Sequence, residues 1–394
     1  MPIYRTMTAP TTRAVVSYGP YQNGGWKLKN ITLRPLKENE LLVELVASGI
    51  CHTDLHFAGL ESGYGVYYPR IMGHEGSGYV RDVGSKVRIA QPGDSVLLSF
   101  SSCRSCEQCL TDHPGHCTSF NPINFEAGSD DYYIARESEP ADSGPGTSIY
   151  GKFFGQSSLS GWSIVNEQSV VNVTGLVKSK QELALLSPLG CGIQTGSGAI
   201  VIAADACEKD RVVVLGLGGV GLSAVMGAKL RSCSMIIGVD RFSSRLELAR
   251  ELGATHVINT GDMDDLSDLT KEVHRITNGR GSTITLDSTG FPALIREGVN
   301  LTGFKGKLIQ VGVAPATATL DIPIFEFMVA GKQYMGVVQG DVDPQSYIPQ
   351  LIRWVQQGKM PLDRIARFYP ADDFEKALKD MQAGDTIKPI IMWS

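Results

Sequence analysis

Four of the chain's eight cysteines stand at Cys103, Cys106, Cys109 and Cys117. Three sulfurs at intervals of three, with a fourth from a returning loop, can close a tetrahedron around Zn2+ and leave no position for water or substrate. Such a site is structural. A disulfide pair or an iron–sulfur cluster are the competing uses of these residues. With four thiolates on the metal, His113 and His116 in the same loop are expected at the surface. A second set is scattered. Cys51 opens the run Cys-His-Thr-Asp-Leu-His, His74 lies in Gly-His-Glu-Gly, and Cys191 sits between Gly190 and Gly192. Spacing does not join these three, but their neighbours do, since hydroxyl, carboxylate and imidazole groups accompany them. Two thiolates and an imidazole with a fourth position open form one of the catalytic zinc sets.

A third constellation binds phosphate. Gly216-Leu217-Gly218-Gly219-Val220-Gly221 follows an apolar strand and opens an apolar helix. Gly216 makes the tight turn, Gly218 admits a pyrophosphate, and Gly221 lets helix and strand pack closely. The Gly219 and Val220 amides at the helix start are expected to receive the phosphates. Asp240 closes the next strand at the distance where a ribose-binding carboxylate belongs. A carboxylate there accepts ribose hydroxyls and repels a 2′-phosphate, so NAD is expected over NADP. Arg241 and Arg245 would soften that preference, and Arg245 could itself reach the ribose.

In this order, GHEGSG from Gly73, the four-cysteine lobe, Cys191 with GIQTGSGA, GLGGVG and Asp240 resemble the zinc-dependent medium-chain alcohol dehydrogenases nearly end to end. Within them, GKFFGQSS (Gly151–Ser158), PLGCGIQTG (Pro188–Gly196) and IKPII (Ile387–Ile391) are most similar to the aryl-alcohol (benzyl alcohol) dehydrogenase branch. The resemblance implies two zincs per chain, one structural and one catalytic on Cys51, His74 and Cys191. It implies hydride transfer between NAD(H) and a primary, aromatic or allylic, alcohol/aldehyde pair. The same site run in reverse would be an NAD(P)H-dependent carbonyl or enal reductase acting on a specialised biosynthetic intermediate. Thr53 would take the alcohol's proton and pass it through the nicotinamide ribose to His56. Asp54 would fix the His74 ring. Glu75 would assist ligand exchange or serve as a buried ion-pair carboxylate. Thr195 would pack near the nicotinamide, and the carbonyls of Val311 and Val337 would take its carboxamide. His52 and Lys388, where arginine is common in the family, would lie near the pyrophosphate. Tyr64, Phe100 and Phe153 are candidate substrate-pocket walls. A homodimer or homotetramer is also implied.

These residues need two kinds of scaffold. Residues 13 to about 100 carry β-branched runs punctuated by Gly and Pro, and read as an all-β region. From Arg211, six strand-like runs alternate with helix-like stretches, the rhythm of a doubly wound parallel sheet. In one such stretch, SSRLELAREL, Ser243 or Ser244 is the expected cap. The fold class is therefore α/β with a doubly wound parallel sheet, and the resemblance implies a β-rich GroES-like catalytic domain plus a Rossmann domain. It also implies the boundaries, 1–192 with 338–394 for the former and 193–337 for the latter. The polar stretch Glu137–Ser148 reads as an exposed loop.

Composition sets the outer bounds. With 36 basic against 41 acidic residues the net charge is −5. A nucleic-acid binder normally carries a basic face. The uncharged stretches Leu183–Ala204 and Val212–Ala228 are long enough to span a membrane but are broken by glycines, and read as buried strand–turn–helix segments. The start has no apolar signal region; Arg5 and Arg13 among threonines only faintly resemble a transit peptide, so a cytoplasmic protein is expected.

Overall fold

A computed structural model of the chain describes residues 10–126, 134–137 and 148–393. All but the two end residues of the Glu137–Ser148 stretch lie outside the described residues. Strands Thr11–Ser17, Trp26–Thr32, Ile134–Glu137, Ser148–Tyr150 and Arg70–Ile71 close a small barrel. A seven-stranded sheet centres on Glu40–Gly49, which pairs antiparallel with Gly76–Val83 on one side and Trp162–Asn166 on the other. The end of that strand also pairs with Lys388–Met392, so that Ile390 lies opposite Gly49. This pairing brings the last residues of the chain beside Cys51.

The third sheet has six parallel strands in the order His256–Asn259, Met235–Asp240, Arg211–Leu215, Ser282–Asp287, Thr302–Gln310 and Gln333–Gly336. This is the Rossmann order, whose direction reverses between Arg211–Leu215 and Ser282–Asp287; ligands bind at that switch point. Continuous runs such as Val212–Leu215 are fully buried, as expected for strands covered on both faces. One apolar core joins the two sheets: Val46, Leu97 and Val171 share it with Val212, Leu222 and Ile348.

Two local expectations are corrected. Leu183–Ala204 contains no strand: it runs through the end of helix Lys180–Leu185, the turn Ser187–Gly190, helix Gly192–Gly198 and a π-turn Ala199–Ala203. Its small residues let it lie close against helix Gly219–Leu230; a Cβ at Gly196 would fall 1.9 Å from the Val220 carbonyl oxygen. Helix Ser243–Leu252 is capped by neither serine. Phe242 holds the cap position, and the Asp240 carboxylate accepts the amides of Arg241 and Phe242 instead. Among the described residues no helix is long and apolar enough to cross a membrane.

At the start of Glu40–Gly49, Glu40 is buried and accepts from Arg34 at 2.7 and 2.9 Å and from the Lys37 amide at 2.8 Å, with the Lys152 ammonium at 2.8 Å. Burial opposes ionisation, but these donors outweigh it and hold the carboxyl down at about 2. A depressed carboxyl stabilises the fold above its unfolded pKa, and that stabilisation is lost as pH falls through the folded value. Glu40→Gln is therefore expected to lose roughly 3 kcal/mol at pH 7. The loss should shrink as pH falls below about 4.5 toward 2, read from urea unfolding midpoints of the two proteins.

Candidate active site and metal centres

Cys51 caps helix His52–Phe57, and its amide donates to Asp54 Oδ2 at 3.0 Å. The other oxygen of this buried carboxylate accepts from the Gly73 amide at 2.9 Å and from His74 Nδ1 at 3.0 Å. One carboxylate thus fixes the position of Cys51 and the orientation of His74. Since a carboxylate only accepts, Nδ1 carries the proton and Nε2 is left as a donor of its lone pair. That atom is buried and has no hydrogen-bond partner among the described residues. Gly73 reaches this geometry with φ +95°, where a side chain would also strike the Leu159 amide. The ring of Phe154 stacks on His74 at 4.5 Å, and Phe153 meets it edge-on at 5.5 Å.

Cys191 caps helix Gly192–Gly198, and its carbonyl accepts from both the amide and the hydroxyl of Thr195, at 2.9 and 2.8 Å. Ligand atoms of Cys51, His74, Glu75 and Cys191 lie within 4.8 Å of one another, all in buried residues. Two thiols and an unpartnered imidazole nitrogen facing one point fit a zinc ion. A hydrogen bond from Cys191 holds the Cys51 thiol well below its ordinary range. Glu75 is differently engaged. Its two oxygens take the Lys388 ammonium at 2.8 and 2.9 Å, and one also accepts from the Gly192 amide at 3.2 Å.

Lys388 has a further engagement beside the helix start. Its third proton goes to the Ile50 carbonyl at 3.2 Å, so all three are committed, and its stem passes 3.2 Å from where a Gly219 Cβ would stand. It underlies the helix start but spends its charge on Glu75. Thr53 Oγ1 lies 3.7 Å from Cys51 Sγ, and His56, one turn on, is exposed. His52 keeps an exposed face; poor solvation in the cleft, with Lys388 and Arg245 adding to it, holds its imidazole below the usual histidine range.

The four-cysteine loop closes as expected. Sulfur separations of 3.9 Å (Cys103–Cys109), 3.5 Å (Cys106–Cys109) and 3.9 Å (Cys106–Cys117) bracket the edge of about 3.8 Å that a tetrahedron with Zn–S of about 2.3 Å requires. They far exceed a disulfide bond, and all four cysteines are free. Amides of Cys103 and Cys106 donate to Cys117 and Cys103 sulfurs at 3.3 Å each. The residues fit a structural zinc. His113 is exposed, as expected, and also bonds Asp341 at 2.9 Å.

At the sheet's carboxyl edge, Gly216 and Gly221 pack so closely that a Cβ at Gly221 would fall 1.8 Å from the Gly216 carbonyl oxygen. Gly218 caps the following helix, which starts at Gly219 and Val220. Asp240 Oδ2 accepts the Leu217 amide at 2.7 Å, binding the glycine turn to the second strand, and Arg245 stands 3.7 Å away. Val311 and Val337 follow the ends of their strands, their amides held by Asp287 and Gln310 carbonyls. Phe100 is interior, against Phe120, and Phe153 is wholly buried. Tyr64 is half exposed, where partial burial and Glu126 push its phenol up to about 12. The sequence reading missed half-buried Phe57 and Phe125, stacked at 4.5 Å and continuous with Phe153 and Phe154. It also missed Gln156, whose amide donates to the His74 and Ser99 carbonyls. Gln156 lies within GKFFGQSS, and Phe57 directly follows the run that Cys51 opens.

Family models agree with this architecture. Residues 37–142 match the alcohol dehydrogenase GroES-like domain and residues 219–357 the zinc-binding dehydrogenase domain. The chain is 34% identical to geraniol dehydrogenase of Castellaniella defragrans, with 91% of each chain covered. Among solved structures, benzyl alcohol dehydrogenase of Acinetobacter calcoaceticus matches with TM-score 0.86 and 36% identity, over 98% of this chain and 100% of that one. An alcohol dehydrogenase zinc-binding domain protein of Burkholderia ambifaria matches with TM-score 0.89 and 34% identity, over 98% and 100%. With both metal sets assembled and the dinucleotide turn in place, the chain belongs to the zinc-dependent medium-chain dehydrogenase/reductase family, as a zinc-binding, NAD-dependent oxidoreductase of the alcohol dehydrogenase superfamily.

Proposed function

We propose that the enzyme interconverts primary aromatic or allylic alcohols and their aldehydes, with NAD(H) preferred to NADP(H). The observation that carries this is the aromatic wall: Phe154 stacks on the ligand His74, and Phe153, Phe125 and Phe57 extend from it to half-buried positions. Relatives named for geraniol and benzyl alcohol support the same substrate class.

Cys51, His74 and Cys191 would hold the catalytic zinc, and Cys103, Cys106, Cys109 and Cys117 the structural one. When bound, the catalytic ion acts as a Lewis acid that lowers the pKa of an alcohol oxygen. Asp54 keeps His74 in the tautomer that presents Nε2. The Thr53 hydroxyl would take the alcohol's proton as it gives up its own, and exposed His56, on the same helix, would accept the relayed proton and release it to water. A nicotinamide cofactor bound at the glycine turn would supply the hydride acceptor for oxidation of the alcohol to its aldehyde. Asp240, with Arg245 beside it, selects the unphosphorylated ribose, and the Gly219 and Val220 amides receive pyrophosphate. Residues 1–192 with 338–394 act as the catalytic domain, and 193–337 as the nucleotide domain. Assembly as a homodimer or homotetramer belongs to this reading. Helix Ile324–Ala330 exposes Ile324, Phe325 and Met328 beside the edge strand Gln333–Gly336.

The test is NADH formation at 340 nm with benzyl, cinnamyl and ethyl alcohols, repeated with NADP. Burying a phenyl group is worth about 1.5–3 kcal/mol, so kcat/KM for benzyl alcohol should exceed that for ethanol by about 10- to 100-fold. Equal turnover of ethanol, or none of the aryl alcohols, overturns the substrate assignment.

A further inference from the structure

Gln339 stands where nothing in the reaction requires a polar side chain, yet its placement is costly and both polar atoms of its amide are hydrogen-bonded. It is buried and follows strand Gln333–Gly336 in a turn of three consecutive left-handed residues: Gln339 at φ 54°, Gly340 at 77° and Asp341 at 55°. Left-handed backbone at two non-glycine residues persists only where surrounding contacts enforce it. Those contacts come from helix Gly192–Gly198, where a Cβ at Gly340 would stand 2.4 Å from the Gln194 carbonyl oxygen, and from the four-cysteine lobe. His113 donates to Asp341 at 2.9 Å, Arg104 donates to Asp343 at 2.9 Å, and Gly115 lies so near that a Cβ would stand 2.4 Å from the Val338 carbonyl oxygen.

The orientation of the Gln339 amide follows from its neighbours. The Gly190 carbonyl can only accept, and it takes the Ser99 hydroxyl at 2.7 Å and Gln194 Nε2 at 2.8 Å. Gln194 therefore turns its NH2 toward this cluster, and the same nitrogen lies 2.9 Å from Gln339 Oε1. With its oxygen facing that donor, Gln339 must present its own NH2 to the other side. There Nε2 lies 3.7 Å from Cys191 Sγ, an N–H···S hydrogen bond.

We propose that Gln339 is a positioning residue for the catalytic metal. Its amide donates to the Cys191 sulfur and reduces the negative charge that this ligand delivers, while fixing where the sulfur stands. Partners of metal ligands tune affinity and electronics in this way, commonly by about 10- to 100-fold. The structural lobe then has a role at the distant metal, because it braces the turn that carries Gln339. The proposal rests on the zinc site described above.

The test is made on protein whose catalytic zinc is replaced by cobalt, comparing wild type with Gln339→Leu and Gln339→Glu. Losing the hydrogen bond raises the energy of the sulfur lone pair, so the thiolate-to-cobalt absorption should shift to longer wavelength in Gln339→Leu. Zinc release to a chelator should accelerate about tenfold in the same variant. Gln339→Glu should release zinc faster still, since one carboxylate oxygen can meet Gln194 while the other faces a thiolate without a proton to give. kcat should change more than KM for the alcohol. Thermal unfolding, followed alongside, identifies a variant that has simply lost its fold, in which case Gln339→Met is substituted for it. Unchanged absorption and release rate in a folded variant overturn the proposal. Absence of any thiolate absorption in the cobalt wild type would instead overturn the metal site beneath it.

Discussion

Cys51→Ser should lower kcat/KM for benzyl alcohol by about three orders of magnitude and reduce bound zinc from two ions per chain to one. The size follows from the chemistry: a Lewis acid contributes several kcal/mol to an alkoxide-forming reaction, and about 4 kcal/mol is a thousandfold in rate. A neutral serine hydroxyl is a poor replacement for a thiolate, yet serine is a favoured helix cap, so helix His52–Phe57 should form as before. The Cys51 amide bond to Asp54, and the Asp54 bond to His74, do not involve the sulfur and are preserved. The four-cysteine site is closed within its own loop and should keep its ion. Metal analysis, steady-state rates and circular dichroism on the same preparation separate the outcomes. Two zincs with full activity would remove Cys51 from the catalytic set, and loss of both would show that the sites do not load independently.

The sequence displayed the two metal sets and the nucleotide turn because each depends on residue types that few other structures use. The CxxCxxC run is local, so its geometry could be inferred from spacing. Cys51, His74 and Cys191 are far apart, and in sequence only their polar neighbours join them; the physical link, Asp54 reaching both Cys51 and Gly73, exists only after folding. The inner strands of the parallel sheet were legible because they are buried on both faces and read as continuous apolar runs. The helices of Leu183–Ala204 were not, since a glycine-rich apolar stretch has no distinguishing period; packing against Gly219–Leu230 decides its form. The extent of the aromatic wall was harder to read. Phe57 and Phe125 look like any other phenylalanines in sequence, and only folding makes them half-buried and continuous with Phe153. The engagement of Lys388 with Glu75 was illegible because strand Lys388–Met392 reaches Glu40–Gly49 across the whole chain.

That pair carries the second large effect. Glu75 is fully buried, and burial raises its carboxyl pKa even with Lys388 opposing the shift. Removing the ammonium in Lys388→Met leaves the carboxylate with the Gly192 amide, a single weak donor at 3.2 Å. Breaking one side of a buried ion pair costs about 3–5 kcal/mol. A bound zinc would not replace the lost charge, because two thiolates already cancel it. The deficit should therefore depend on pH. An acid whose folded pKa is raised holds its proton more tightly in the native state, so stability falls as pH rises from the unfolded value toward the folded one. Lys388→Met should thus unfold at a urea concentration close to that of wild type near pH 5 and well below it at pH 8, both measured on zinc-loaded protein. A deficit equal at both pH values would mean that Lys388 contributes packing rather than charge. Adding Glu75→Gln to Lys388→Met should recover most of the loss at pH 8, because the uncompensated carboxylate is then gone while its shape remains. Recovered stability with alcohol oxidation still impaired would place Glu75 in the chemistry, whereas recovery of both would confine the pair to holding strand Lys388–Met392 against the ligand segment.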